Sequence, residues 1–354
     1  MAIGSLVLGL RLAAIVVGLA MVMSSTAHAR NQSLLSCWKK LDPQTFVEIG
    51  HVQENAGNYA SRQKLVNSQR RPAALLLSYG SQRTAFSAGL LVGWGETGYR
   101  PIFDLVSAVG PSALLAPFAF VGRAGDQAIA DAYNCKASDW NGMVQHALAH
   151  LDAAMVERIR QGHLAGRRLL VALKGSAARP QTVWDIGKIA ASQKPGAAQQ
   201  IRSILAASVN LTSRIAVPGH PVKAGRFSQR NHTFRVVGAG QPFLFRPELG
   251  RKIRHWYIVH NSVLFNDEIA KYANGRRAGS IKSFNADDVY LRPVFDVLQH
   301  VQSSRAKFRI AVIQPRRWFY PQTEFDQTFM RDIFQRAYRY ARMGRLWQSG
   351  AAGR

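Results

Sequence analysis

The segment from Phe103 to Gly122, FDLVSAVGPSALLAPFAFVG, constrains the fold of this chain more than any other. It begins as a short apolar strand, passes through small residues around Gly110, and continues from Pro111 as an apolar helix. Proline suits the first turn of a helix, because the amide hydrogens there have no intrahelical partner. This order of elements predicts a buried strand, a sharp turn and a helix, the arrangement that holds a nucleophile above a parallel sheet.

Strand and helix signals alternate along most of the chain. Apolar runs bounded by turn residues predict strands at Ala73–Ser78, Ile102–Val106, Arg167–Leu173, Phe234–Val237, His255–His260 and Phe308–Gln314. Helical periodicity predicts helices at Thr84–Thr97, Pro111–Val121, Trp140–Gln161, Pro195–Ser208, Asp288–Ser304 and Asp326–Met343. The alternation favours an α/β fold with a mostly parallel central sheet and helices on both faces. We expect the first strand to be interior and the second to lead directly into the turn at Gly110.

The first 29 residues differ from the rest of the chain. Arg11 precedes an apolar run from Leu12 to Met23, and Ala27-His28-Ala29 follows as a cleavage-like motif. This pattern predicts a secretory signal peptide, and the run is shorter than the roughly 20 residues of a membrane span. We therefore expect export to the periplasm or the extracellular space, with a retained membrane anchor as the alternative. The predicted organisation is a signal over 1–29, a polar segment over 30–71, a domain over 72–347 and a tail over 348–354.

The charge and the cysteines add to this picture. The chain has 46 Lys and Arg against 20 Asp and Glu, a net charge of +26. Such a charge favours anionic partners. For an exported protein a lipid or anionic membrane surface is the more natural choice, and no specific nucleic acid is expected. The alternative is a basic surface without a specific ligand. Cys37 and Cys135 are the only cysteines; an oxidising compartment would allow them to pair, and the sequence leaves that open.

Residues Leu75–Gly122 resemble the core of the patatin-like phospholipases. The segment Arg167–Ser192, which contains Trp184-Asp185-Ile186-Gly187, looks like the next strand and the W-D-x-G segment of that family. The resemblance extends over Pro72–Trp347. It implies a three-layer α/β/α acyl hydrolase that cleaves fatty-acyl esters of lipids with a serine–aspartate dyad and no cofactor.

The dyad of that family is substituted here. Its G-x-S-x-G elbow falls on Ala108–Ser112, which places Gly110 at the nucleophile position. The dyad aspartate would precede Gly238-Ala239, and that position is Val237. Glycine carries no nucleophile and valine carries no carboxylate. The resemblance therefore implies a protein of the hydrolase fold whose catalysis has degenerated.

The loop that would bind the oxyanion is also altered. It falls on Tyr79–Thr84, where only Gly80 remains of the glycines that the family uses. Ser81 occupies a former glycine position, and Arg83 matches a basic residue often found in this loop. Glycines serve there because the backbone must turn tightly and aim its amides at the substrate. A third departure from the pattern strengthens the prediction of a pseudoenzyme.

The main alternative to the pseudoenzyme prediction is that Ser112 acts as the nucleophile. A slip of two residues would place this serine at the elbow and make the protein a working lipid acyl hydrolase. Asp104, at the end of a predicted strand, would be the nearest candidate for a base. Against this reading, Leu114 stands where the closing glycine would be, and serine in the first turn of a helix often caps backbone amides instead. We expect Asp104 to serve as a turn or cap carboxylate.

Two further features bear on ligands. His146 and His150 share one face of a predicted helix, a spacing that can bind a metal, but Ala-Leu-Ala lies between them rather than the glutamate of H-E-x-x-H. We expect surface histidines and no metal site. The last helix, Asp326–Met343, is basic and amphipathic. It can lie on an anionic membrane or cap the sheet with its apolar face, and we favour capping.

The sequence thus favours an exported, patatin-like pseudoenzyme that binds lipid, a membrane surface or a partner. One alternative is an active serine hydrolase that uses Ser112. The other is a basic interaction protein of the cell envelope whose protein partner the sequence does not identify.

Overall fold

A computed structural model describes residues 70–133, 137, 139–172, 181–209, 233–236, 243–245, 250–263, 294–313 except 295, 299, 302 and 305, and 321–349 except 324. Several predictions lie outside these residues: the signal over 1–29, the segment over 30–69, both cysteines, Val237 and the tail over 350–354. Among the described residues, no helix combines the length and apolar character that a membrane span needs.

The described elements follow one another as strands and helices. The strands are β1 Ala73–Leu77, β2 Leu105–Val109, β3 Arg168–Ala172, β4 Gln181–Asp185, β5 Thr233–Val236, β6 His255–Val263, β7 Lys307–Ile313 and β8 Gln348–Ser349. The helices are α1 Thr84–Glu96, α2 Ala116–Val121, α3 Asp126–Ala132, α4 Trp140–Ala149, α5 Ala153–Leu164, α6 Ile186–Ala191, α7 Ala197–Val209 and α8 Gln327–Arg342. Short 3₁₀ helices follow β1 at Ser81–Arg83 and β2 at Gly110–Leu114.

The strands form one sheet in the order β5-β4-β3-β2-β1-β6-β7-β8. β1, β2, β3, β6 and β7 run parallel to one another, whereas β4 pairs antiparallel with β3, β5 with β4, and β8 with β7. This confirms the predicted α/β fold with a mostly parallel sheet. The first strand is interior, as expected, because β2 and β6 pair with its two edges.

Helical residues cover both faces of the sheet. On one face, Leu76 of β1, Ile258 of β6 and Ile310 of β7 join a core that includes Val297 and Leu298, residues of a helical segment. The other face packs against α1 and α2. Because the strands of a parallel sheet are buried on both sides, β1 and β2 consist of buried residues throughout.

Helix α1 is the centre of the second layer. Its residues from Thr84 to Gly95 are all buried, because the sheet lies on one side of it and α8 on the other. A β-carbon at Gly89 would lie 2.8 Å from the carbonyl carbon of Phe334 in α8, and one at Gly93 would lie 3.0 Å from that of Tyr338. Glycine at these two positions therefore lets the helix backbones touch. The apolar face of α8 is thus buried mainly against α1, so the helix covers α1, whereas the sequence predicted that it would cap the sheet itself.

Several predicted boundaries were wrong, and β6 extends to Val263 rather than ending at His260. The second strand is Leu105–Val109 rather than Ile102–Val106, because its register against β1 places Leu105 beside Ala74, with the Asp104 amide bonded to the carbonyl of Ala73 at 2.7 Å. The strand still ends immediately before Gly110. Trp140–Gln161 is two helices rather than one, since Asp152 caps the amide of Met155 and starts α5. The helix after the turn is 3₁₀ at first and becomes α-helical at Ala116.

Candidate functional site

The site lies at the carboxyl edge, which we define as the side of the sheet where β1 and β2 end and β6 passes residue 260. The order of the strands reverses here: the chain proceeds from β1 to β2 on one side, while β6 pairs with the other side of β1 and leads on to β7. Open α/β sheets bind their ligands in the crevice at such a switch point. Ser78, Gly80, Gly110, Ser112 and Asn261 meet there.

Gly110 has the backbone of an elbow but no room for a side chain. Its φ is +59°, a left-handed conformation that a residue with a β-carbon adopts only at a cost. A β-carbon at this position would lie 2.8 Å from Cε2 of Tyr79 and closer still to Cδ2. The ring of Tyr79 therefore occupies the space in which a nucleophile would stand.

Ser112 is sealed inside the protein. The residue has no exposed surface, and its Oγ donates a hydrogen bond to the carbonyl oxygen of Ser78 at 2.6 Å. The same Oγ accepts from Nδ2 of Asn261 at 3.1 Å. A serine needs an adjacent base to become a nucleophile, and neither of these described partners is a base.

Asn261 connects the polar groups of the site. Its Nδ2 donates to the carbonyl oxygen of Ser78 at 2.9 Å, and its backbone amide donates to the hydroxyl of Ser78 at 2.7 Å. Its Oδ1 accepts from the hydroxyl of Ser87 in α1 at 2.7 Å. The amide group thereby uses both donors and its acceptor inside the protein. A satisfied buried network of this kind holds β1, α1 and the elbow rigidly together.

The loop after β1 does not form an oxyanion site in this arrangement. A β-carbon at Gly80 would lie 3.0 Å from Cγ of Asn261, so the glycine accommodates β6. Ser81 adopts φ of +45°, which is unusual for a residue other than glycine, asparagine or aspartate. Ser81 and Arg83 belong to a 3₁₀ helix closed by a hydrogen bond from the Arg83 amide to the Gly80 carbonyl at 2.8 Å. The loop is therefore wound into the start of α1.

Asp104 lies at the opposite end of β2 from the elbow. Its carboxylate accepts hydrogen bonds from the amide of Ala73 and from the guanidinium of Arg70. The strand β2, Leu105–Val109, separates it from Gly110. The structure therefore does not bring Asp104 and Ser112 together, and the carboxylate serves as a strand-end cap.

The paired histidines belong to α4 and its end. Nε2 of His150 lies 2.7 Å from Oδ2 of Asp131, and His146 lies one turn earlier in α4. Within the described parts of the chain, no three His, Cys, Asp or Glu side chains are grouped so that they could hold a metal ion.

One titratable side chain of the carboxyl edge stands outside the polar network. His260 is almost completely buried, and its ring stacks on that of Phe243 with centroids 5.5 Å apart. Burial lowers the pKa of His260 to about 4. The imidazole is therefore neutral near pH 7, and neither ring nitrogen has a hydrogen-bond partner among the residues that the structure describes.

No protein-family model matches this sequence, and no curated protein matches it either. The patatin-like resemblance therefore stays a prediction, carried by the residues quoted above. Val237, the predicted position of the lost aspartate, lies outside the described residues.

Sequence reasoning identified Gly110, Gly80 and Ser112 but missed the two residues that close the site. The resemblance places Tyr79 only at the start of a loop, and the strand predicted for β6 ends at His260, one residue before Asn261. A polar His-Asn pair inside an otherwise apolar strand is the signal that could have indicated a buried network.

Proposed function

We propose that this chain is an exported, patatin-like protein that has lost ester hydrolysis and acts by binding an anionic lipid surface. The observation that carries the loss of catalysis is the ring of Tyr79 against Gly110. A nucleophile side chain could not be accommodated at the apex of the elbow without moving that ring.

The rest of the carboxyl edge supports the same proposal. Ser112, the alternative nucleophile, is fully buried and hydrogen-bonded to Ser78 and Asn261. An acyl ester would have to enter the core to reach it. Removal of a catalytic dyad or triad costs other hydrolases about a millionfold in rate, so no useful hydrolysis is expected.

The proposed binding function rests on charge and on the predicted signal. After export, a chain this basic, with a net charge of +26 over the full sequence, would meet anionic lipid headgroups at the membrane surface, and opposite charges attract over about 8 Å at physiological salt.

Purified protein should release no p-nitrophenol from acyl esters above background, and a fluorophosphonate probe should not label it. Ser112→Ala serves as the control. Labelling of the wild-type protein that vanishes in Ser112→Ala would show that the buried serine is a nucleophile and would overturn the proposal.

A gain-of-function series tests the reason for the inactivity. Gly110→Ser with Val237→Asp restores the two dyad groups, and a further Tyr79→Ala change removes the obstructing ring. We expect little hydrolysis from either variant, because the loop at Gly80 is packed against Asn261 and does not aim its amides at an oxyanion. Fast hydrolysis by the triple variant alone would show that Tyr79 is the main obstacle and that the loop is intact.

A further inference from the structure

The opposite end of the sheet has a different character. We define the amino edge as the side where the parallel strands begin: Ala73 lies beside His255, His255 beside Lys307, and Leu105 beside Arg168. The residues that lead into these strands therefore share one surface. Since neighbouring strands are about 4.8 Å apart, five parallel strands give this surface a width of roughly 20 Å.

Basic side chains line the middle of the amino edge. The exposed ones lie just before β1 and β6 or among the first residues of β7: Arg71, Arg251, Lys252, Arg254, Lys307 and Arg309. Their proximity is reflected in His255, whose pKa is lowered by burial and further by Arg71, Lys307 and Arg309. The sheet thus concentrates charges that are up to 238 residues apart in sequence, from Arg71 to Arg309.

The acidic groups near this edge are already engaged. Asp104 pairs with Arg70. Glu96, at the end of α1, accepts from the hydroxyl of Tyr338 at 2.6 Å and lies 3.5 Å from Nε of Arg342. No carboxylate of the described residues forms an ion pair with any of the six basic side chains named above, so their charge is available to a partner.

Exposed apolar side chains gather at the same end. Large hydrophobic residues with substantial exposure are few among the described residues: Tyr99 at 51 %, Leu164 at 59 %, Met343 at 58 % and Tyr340 at 41 %. Tyr99 follows α1, which runs from the end of β1 to the start of β2, and Leu164 ends α5 just before β3. Met343 follows the last residue of α8, where Arg342 contacts Glu96 at the end of α1. Three of the four therefore belong to the amino edge.

We infer that the amino edge is the face by which this protein docks on an anionic bilayer. Its basic side chains would contact lipid phosphates, while Tyr99, Leu164 and Met343 would enter the boundary between headgroups and acyl chains. Basic groups surrounding exposed tyrosine and aliphatic side chains match the composition of surfaces that lie in this interface. The inference rests on the proposed function and specifies which face meets the lipid.

The apolar side chains decide between lipid and other polyanions. A nucleic acid or an anionic polysaccharide would be bound by charge alone and would gain nothing from an exposed leucine and methionine. A bilayer offers both a negative surface, worth about fivefold in affinity for each basic residue near it, and an apolar interior. The combination at the amino edge therefore favours lipid.

The test compares two variants that have the same change in net charge. Both are made from the same form of the chain as the purified wild-type protein. The edge variant carries Arg71→Glu, Arg254→Glu and Lys307→Glu. The control variant carries Arg83→Glu, Arg158→Glu and Arg331→Glu, which lie in the loop after β1, in α5 and in the first turns of α8. Binding is measured by co-sedimentation with vesicles of phosphatidylglycerol and phosphatidylcholine, and circular dichroism verifies that each variant folds.

We expect the edge variant to bind at least about a hundredfold more weakly than the control variant, from about fivefold for each lost charge. A third variant, Tyr99→Ser with Leu164→Ser and Met343→Ser, should still bind at low salt but should no longer raise the pressure of a phosphatidylglycerol monolayer. Equal losses in the edge and control variants would overturn the inference while leaving the proposed binding function intact. Undiminished monolayer insertion by the serine variant would also overturn it, and no wild-type binding at all would refute both.

Discussion

The two ends of the sheet differ in whether their polar groups remain available to bind a ligand. At the carboxyl edge, where this type of fold usually does its chemistry, Ser112, Asn261 and Ser78 satisfy one another inside the protein, and Tyr79 fills the remaining space. At the amino edge, Arg254 and its basic neighbours are exposed and unpaired among the described residues. Polar groups at the first end are used up in holding the fold together, whereas those at the second are free to meet a ligand.

This contrast separates the framework of the sheet from the residues at its two ends. Strands β1 and β2, with α1 between them, remain in place because their side chains are buried on both sides. Such packing constrains the interior but not the ends of the strands. The chemistry of each end can therefore change independently of the other, and four substitutions test how far that independence extends.

The largest loss of stability should come from Gly89→Ala, which would disturb both ends of the sheet at once. The new β-carbon would lie 2.8 Å from the backbone carbonyl carbon of Phe334, so α8 would have to move away from α1. We expect a loss of more than about 3 kcal/mol in the free energy of unfolding, measured by urea denaturation. Gly142→Ala in α4 is the matched control, since its β-carbon would meet nothing closer than 3.4 Å. A similar loss in both variants would contradict the close contact of the helices.

Gly110→Ser tests the carboxyl edge alone. We expect a loss of about 2–5 kcal/mol, from the left-handed backbone at about 1–2 kcal/mol and the contact with Tyr79 at about 1–3 kcal/mol. The cost should fall when the substitution is made in a Tyr79→Ala background. Gly344→Ala, with φ of +69° and nothing within 4 Å of a β-carbon, measures the backbone cost by itself. If the two glycine variants lose the same stability, the ring of Tyr79 does not fill the apex.

His260 should make the carboxyl edge sensitive to acid. Its pKa in the folded protein, about 4, lies below the value near 6.5 expected in the unfolded chain. The unfolded state therefore takes up the proton first, and the stability that the neutral imidazole contributes above pH 6.5 is lost as the pH falls toward 4. The loss is on the order of 3 kcal/mol. In urea titrations at several pH values, His260→Phe should remove this part of the slope, whereas Trp256→Phe, a buried substitution without a titratable group, should retain it.

The smallest effect concerns the amino edge. Lys307→Glu replaces one of the positive charges that lower the pKa of His255, so that pKa should rise. The titration of the His255 ring can be followed by nuclear magnetic resonance. Lys194→Glu changes the net charge equally but lies in the loop between α6 and α7, and it should leave the His255 curve unchanged. An unaltered curve in Lys307→Glu would mean that the basic groups of this edge do not sense one another.

The fold was predictable where short-range signals decide it. The apolar run after Pro72 predicted β1 to within one residue, and the pattern from Thr84 predicted α1 equally well. The position of β2 was displaced by three residues, because its register against β1 is fixed by a backbone hydrogen bond from the Asp104 amide to the Ala73 carbonyl. Such a bond joins residues that are close only in the folded chain.

The site was only partly predictable for the same reason. The sequence indicated that Gly110 lacks a nucleophile, since that requires only an identity at a position. It did not indicate that Tyr79 would cover the apex or that Asn261 would bind Ser112, because those contacts join segments that the sheet brings together. The sequence did not indicate the basic surface at the amino edge either. Arg71, Arg254 and Lys307 are far apart in the chain, and only the register of β1, β6 and β7 brings them together.

The burial of α1 on all sides also affects how the domain folds while the chain is being synthesised. Its outer face is covered by α8, which is synthesised after all the other helices named above. Until Gln327–Arg342 arrives, a long apolar helix has nothing to pack against on that face, and such partly folded chains aggregate unless chaperones hold them. A chain truncated before Gln327 should therefore be recovered in inclusion bodies or degraded.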